Sequence, residues 1–258
     1  MKITQVAAQL YTLRDHLKTP ADIAASLKKV RAIGYQAVQV SGMGPIDEAE
    51  LVRILNGEGL TCCATHEPSL VILNEVEKVI ERLKKLGCKY TAYPFPNGID
   101  FQQPEQVEAL ARKLDAAGAV MAKAGQVLTY HNHAHEFIHY RGQQTALDYI
   151  YSATQPQNLQ GEIDTYWVQA GGGDPVAWCR KLKGRLPLLH VKDYGVGAEG
   201  KALFAEIGQG NLNWPEIIAA AESSGCEWFI VEQDICPGDP FESLAISFRY
   251  MRDQLCNG

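Results

Sequence analysis

LPLLHVKD (186–193), NWPEIIAAAESSG (213–225) and EWFIVEQD (227–234) decide the fold of this chain. The first and third are short apolar runs that end in charged residues. Between them, Asn213 and Pro215 mark a helix start and Gly225 its stop. A strand, a helix and a second strand in that order imply parallel strands joined by a crossover helix.

The same unit repeats outward from there. The first run is Ile3 to Tyr11, and a helix follows from Pro20 to a stop at Gly34, with Thr19 as its N-cap. YQAVQVSG, LTCCATHE, CKYTAYP, QVLTYHNH and LQGEIDTYWV read as further strands. The segments IDEAELVRILNGEG, NEVEKVIERLKKLG, PEQVEALARKLDAAGAVMAKAG, TALDYIYSA, DPVAWCRKLKG and DPFESLAISFRYMRDQL read as helices. That makes eight βα units in 258 residues. The expectation is an α/β chain folded as one (β/α)8 TIM barrel spanning residues 1–258, because eight units at this length favour a closed barrel over an open sheet.

Composition narrows the class. Net charge is −6, and the densest basic stretch, Lys28, Lys29 and Arg31, reads as a solvated helix face. No nucleic-acid partner is expected, because phosphate binding needs clustered Lys and Arg. The seven Cys (Cys62, Cys63, Cys88, Cys179, Cys226, Cys236 and Cys256) form no CxxC. Buried free thiols in a reducing compartment are expected. The N-terminus meets charge before any signal-length apolar run, and no segment is apolar enough to span a bilayer. A soluble cytoplasmic enzyme with no membrane partner is the expectation. Homo-oligomerisation is left open.

In a barrel of this kind the chemistry sits at the C-terminal strand ends. His66 and Glu67 end the third strand; His131, Asn132 and His133 the fifth; Asp164 the sixth; His190, Lys192 and Asp193 the seventh; Glu232 and Asp234 the eighth. Gln9 and Arg14 flank the first. Asp, Glu and His without thiolates suit one divalent ion (Mn²⁺, Co²⁺, Zn²⁺ or Mg²⁺). Alternation along a strand puts His131 and His133 on one face and Asn132 on the other.

Four other features compete for meaning. His135 to His139 matches H-E-x-x-H, a zinc-protease pattern that works only on a helix. Here it follows a strand without a helix cap. Gly171-Gly172-Gly173 reads as a sharp loop, and Gly208-Gln209-Gly210 as the entry to the helix that Asn213 would cap. Trp167 and Trp214 read first as packing residues. Trp167 is also carried as a substrate-facing candidate, since sugar faces stack on such rings.

At AAQLYTLRD, YHNHAHEF, EIDTYWV, LLHVKD, GQGNLNWPEI and IVEQD the chain resembles the xylose isomerase-like TIM-barrel superfamily, within it the sugar phosphate isomerases/epimerases. In relatives such as the ketose 3-epimerases, Glu, Asp, His and Glu from strands five to eight hold the ion. Asp164, His190 and Glu232 match three of these. His131 stands where the strand-five Glu is usual. Either His131 is the fourth ligand or Glu136 reaches back to supply the carboxylate. The expected set is Glu136, Asp164, His190 and Glu232, because Glu136 restores the familiar one. The departure weakens the case for a symmetric two-glutamate epimerase. Relatives with His at this place include enzymes resembling inosose dehydratase.

The resemblance implies proton abstraction beside the carbonyl of a keto- or aldo-sugar, leading to isomerisation, epimerisation or elimination. His131, His133 and Glu232 are base candidates, and Lys192 would neutralise a developing oxyanion. His66, His133 and Trp167 would face the substrate. A phosphodiesterase like endonuclease IV shares the barrel but needs more His and Asp ligands and a DNA groove.

Overall fold

A computed structural model describes residues 1–142 and 144–256 of the chain; positions 143, 257 and 258 of the expected span lie outside it. Eight parallel strands close a barrel: β1 (Val6–Gln9), β2 (Ala37–Val40), β3 (Thr61–His66), β4 (Tyr90–Tyr93), β5 (Val127–His131), β6 (Leu159–Asp164), β7 (Leu188–Val191) and β8 (Trp228–Val231). Each pairs with its neighbours in sequence, and β1 closes on β8. The expected (β/α)8 barrel is the observed fold. Among the described residues no helix is long and apolar enough to cross a membrane.

Local chemistry explains the helix ends. Thr19 and Asp22 form a reciprocal capping box at Pro20–Ile33. Gly34 ends that helix at φ 127°, and a Cβ there would lie 2.5 Å from the Phe248 ring. Asn213, expected as a cap, makes no side-chain cap bond to Trp214–Ser223.

Two connections depart from the sequence reading. TYWV does not continue β6, because the Asp164 carboxylate accepts from Trp167 N at 3.0 Å and starts a short helix, Thr165–Ala170. After β7 the chain forms an antiparallel hairpin, Asp193–Val196 with Ala202–Ala205. Asp193 anchors this region instead of facing the cavity. Its carboxylate accepts from Gly208 N (2.9 Å), Gly210 N (3.1 Å) and the Trp214 indole N–H (2.8 Å). A Cβ at Gly210 would sit 2.4 Å from that carboxylate, which accounts for the glycine-rich loop. Gly171 and Gly173 serve packing in the same way, since their Cβ atoms would meet the Phe137 ring at 2.5 and 2.7 Å.

Strand alternation sorts the barrel into layers. The outer strand faces pack under the helices in one large apolar core. Inside, a small floor of Ala7, Ala37, Cys63, Ala64, Tyr90, Leu188 and Ile230 fills the lower barrel. Two residues further along several strands the interior turns polar, with Gln9, Gln39, Glu162, His190 and Glu232 all buried.

Candidate active site

Register sets the site. His131 pairs with Glu162 across β5 and β6, and Asp164 pairs with His190 across β6 and β7. Glu232 follows directly on β8. His131, Asp164, His190 and Glu232 are all buried, and one ligand atom from each lies within 4.8 Å of the others. His190 Nδ1 stands 2.9 Å from Glu232 Oε2 and 3.9 Å from Asp164 Oδ2. His131 Nε2 is 3.9 Å from the same Asp164 oxygen.

Asp164 carries the sharpest signal. One oxygen caps the helix after β6, while Oδ2 is buried with no hydrogen-bond partner. Such an orphan costs on the order of 1–3 kcal/mol unless something binds it. Burial pushes this carboxyl up to about 7, against the pull of Lys192 and His190. A buried carboxylate oxygen without a hydrogen bond, set among two imidazoles, a second carboxylate and the Lys192 ammonium, can take a divalent cation, and the lack of thiolates suits an N/O-preferring one.

The charges around it are uneven. Burial opposes charging His190, but Glu162 and Glu232 outweigh it and lift the ring to about 10. His131 goes the other way, down to about 3, through burial and the neighbouring His190 charge. Burial also disfavours the Lys192 ammonium, yet Asp164, Glu232 and Asp234 raise its pKa well above the usual range. Lys192 Nζ lies 2.7 Å from Asp234, 3.2 Å from Glu232 and 3.5 Å from Asp164. Glu232 would be raised by burial, but Lys192 and His190 hold it well below the carboxylate range.

Above the cluster opens a cavity of about 600 Å³. His66, His131, His133, Trp167, Lys192 and Glu232 all line it. The expected shared face of His131 and His133 is seen, with ring centroids 4.9 Å apart. His133 lies between Phe95 and Trp167, and burial pushes it down to about 2, so it is a neutral ring. Trp167 also faces Lys192, whose ammonium is 5.4 Å from its ring centroid.

Glu136, expected as a ligand, is not in the cluster. A 3-10 turn, His135–Phe137, directs its carboxylate away, to Tyr130 Oη at 3.0 Å and His133 N at 2.8 Å. Burial raises it to about 8, so it holds its proton more tightly than a free carboxyl does. The strand-five member of the buried group is His131 instead. The H-E-x-x-H reading also fails geometrically, because His135 sits in that turn and His139 begins a short strand, not on one helix.

Sequence reasoning missed Glu162. Its side chain is fully buried at the barrel centre, with Oε2 2.6 Å from His66 Nε2 and 3.3 Å from both His131 Nδ1 and His190 Nε2. Its other oxygen accepts from Gln39 Nε2 at 2.6 Å. The available signal was its place two residues before Asp164, which puts both on the inner face of β6.

A closed eight-strand barrel with a His/Asp/Glu cluster at its C-terminal strand ends defines a broad class of barrel enzymes. Residues 27–254 match the family described as xylose isomerase-like TIM barrel, and the chain belongs to that family. It is 25% identical over 261 aligned positions to the rhizopine catabolism protein MocC of Rhizobium meliloti, covering 87% of this chain and 78% of that protein. It is 25% identical over 165 positions to inosose dehydratase of Lacticaseibacillus casei, covering 57% of this chain and 54% of that enzyme. The latter match thus spans about half of the relative. Among solved structures, a sugar phosphate isomerase/epimerase from Parabacteroides distasonis superposes with a TM-score of 0.78 at 24% identity, covering 98% of this chain and 95% of that one. At that identity the likeness shows the fold.

Proposed function

We propose that this protein is a divalent-metal-dependent enzyme that removes a proton beside the carbonyl of a keto- or aldo-sugar, with isomerisation as the outcome. One observation carries the reading: four buried metal-ligating side chains converge, and two of them, His131 and Glu232, line a cavity sized for a small molecule. His131, Asp164, His190 and Glu232 would hold the ion. When bound, it supplies Lewis-acid stabilisation for negative charge on the substrate's carbonyl oxygen.

The chain's own groups do the rest. Glu232 lines the cavity, and its carboxylate takes the proton. Lys192 stays charged and offsets the developing oxyanion. His66 and neutral His133 orient hydroxyls, and Trp167 packs against the sugar face. Glu136 lies outside this cluster, so the arrangement favours a one-base reaction over a symmetric pair of glutamates.

That asymmetry favours a second reading, elimination of water from a keto-sugar or keto-inositol. The likeness to inosose dehydratase points the same way. The test is solvent deuterium exchange. Protein supplied with Mn²⁺ or Co²⁺ is incubated in D₂O with a panel of keto-sugars and inososes, and products are read by NMR. Deuterium beside the carbonyl with carbon skeleton and hydroxyls intact supports isomerisation. Loss of water supports the dehydratase. No exchange with any member, despite bound ion, overturns both.

A further inference from the structure

We propose that the mouth of the cavity is a second subsite, built for an aromatic group carried by the sugar, so that the substrate is an aryl glycoside rather than a free sugar. The inference rests on the reading that the sugar part is handled deeper in the same cavity.

Exposed apolar side chains are ordinary when they are scattered. Among the described residues seven large ones are exposed, and three of the seven line this one cavity: Tyr11 (40% exposed), Phe95 (41%) and Ile235 (67%). They form two walls. Tyr11 follows β1 and Ile235 follows β8, which are neighbours in the barrel. Phe95 follows β4, four places from β8 around the eight-strand ring and so on the far side of the mouth. The cavity volume of about 600 Å³ also exceeds what a single sugar ring needs. Pockets of about 300–1,000 Å³ hold drug-sized ligands, and a monosaccharide seated at the cluster would leave the mouth unfilled.

Both walls are fastened from behind. The Arg14 guanidinium covers the Tyr11 ring, 4.5 Å from its centroid, and donates to Tyr11 O at 3.0 Å and Asp234 O at 2.8 Å. Those bonds tie the loop after β1 to the loop after β8. Gln233 adds to the tie, donating from its backbone N to Thr12 Oγ1 at 3.1 Å and from Nε2 to Ile235 O at 3.2 Å. Gly42, at φ 67°, gives the Tyr11 ring its room, since a Cβ there would stand 2.9 Å from it. Across the mouth, the Ser69 hydroxyl donates to Phe95 O, and the Phe95 ring meets His133 edge-on at 5.1 Å. Rings held in place before binding lose little freedom when a ligand arrives.

The charged groups at the mouth already have partners. Arg14 donates to two carbonyls, Asp234 pairs with Lys192 at 2.7 Å, and Glu67 pairs with Arg82 at 2.8 Å. What remains open to a ligand is apolar and largely aromatic. Aromatic pairs gain more than their buried area alone supplies, which favours an aryl over an alkyl group.

The test is calorimetric titration of the whole chain with phenyl and methyl glycosides of a panel of hexoses and pentoses. At least one phenyl glycoside is expected to bind about tenfold more tightly than its methyl counterpart. Phe95→Ser and the double variant Tyr11→Ser/Ile235→Ser are each expected to cut that preference to about threefold or less, with methyl-glycoside affinity kept. Thermal melts report whether each variant is folded. No phenyl preference anywhere in the panel overturns the proposal, as does a preference that survives both variants. A surviving preference with sedimentation shifted toward a smaller species would assign the rim to a second copy of the chain. Binding needs no turnover, so the two readings separate. A phenyl preference lost in the variants, with no deuterium exchange from any keto-sugar, supports the subsite and removes the proton-abstraction reading. Exchange from free keto-sugars without a phenyl preference does the reverse.

Discussion

Two glutamates, 26 positions apart in sequence, are both fully buried, yet their surroundings push their pKa values in opposite directions. Glu136, in the turn after β5, meets a phenol and one backbone N–H, and burial raises it to about 8. Glu162, at the barrel centre, meets His66, His131, His190 and Gln39, and is held well below the carboxylate range. Burial is common to the two, so it does not decide the charge. The number and sign of the partners does. The barrel centre favours a charged carboxylate, and the strand-five turn favours a protonated one.

The largest effect should fall at the barrel centre. Asp164→Ala and His190→Ala each remove a donor from the buried group and are expected to weaken Mn²⁺ binding by at least about 100-fold, read by calorimetry. Glu136→Ala, with Mn²⁺ binding kept, would complete the contrast. An ion lost from Glu136→Ala in a protein that still melts cooperatively would break it.

The turn should show itself in stability instead. Glu136 has a folded pKa of about 8 against a usual 4.5, so the folded state binds its proton more tightly. Its contribution is full below about pH 4.5 and is lost as pH rises toward about 8. Glu136→Gln keeps an oxygen to accept from His133 N, turns its amide nitrogen to donate to Tyr130 Oη, and has no group to titrate. It is expected to match the unaltered protein near pH 5 and exceed it near pH 8.5 by on the order of 1 kcal/mol or more, in urea unfolding. Parallel pH profiles of the two would contradict a raised pKa.

A smaller change is expected at Tyr130→Phe, which removes one buried partner of Glu136. About 1 kcal/mol of stability should be lost, with Mn²⁺ affinity unmoved. The smallest effect belongs to His139→Ala. This residue is exposed on the short strand after the turn, and its loss should leave both metal binding and melting temperature unchanged. Loss of the ion would return the H-E-x-x-H arrangement to consideration.

The barrel was legible because each strand and helix declared itself by period and by glycine or proline at its ends. Asp164, His190 and Glu232 were legible for a related reason: each ends an apolar run, where a closed barrel gathers side chains at one rim. Glu162 was passed over because it stands inside a run read as strand body, and only its inward alternation with Asp164 marks it. Glu136 misled because it is near His131 in sequence. No periodicity tells where a single 3-10 turn aims a carboxylate. TYWV misled because a strong β pattern hides the cap that Asp164 provides. In each case the missing information was a hydrogen-bond partner distant in sequence or a local turn.

The most direct test is a crystal of the Mn²⁺-soaked protein with anomalous scattering recorded near the manganese edge. The account predicts one strong peak within coordination distance of His131, Asp164, His190 and Glu232, with Glu136 still bonded to Tyr130 and His133. A peak coordinated by Glu136, or an empty cluster at saturating Mn²⁺, would contradict it.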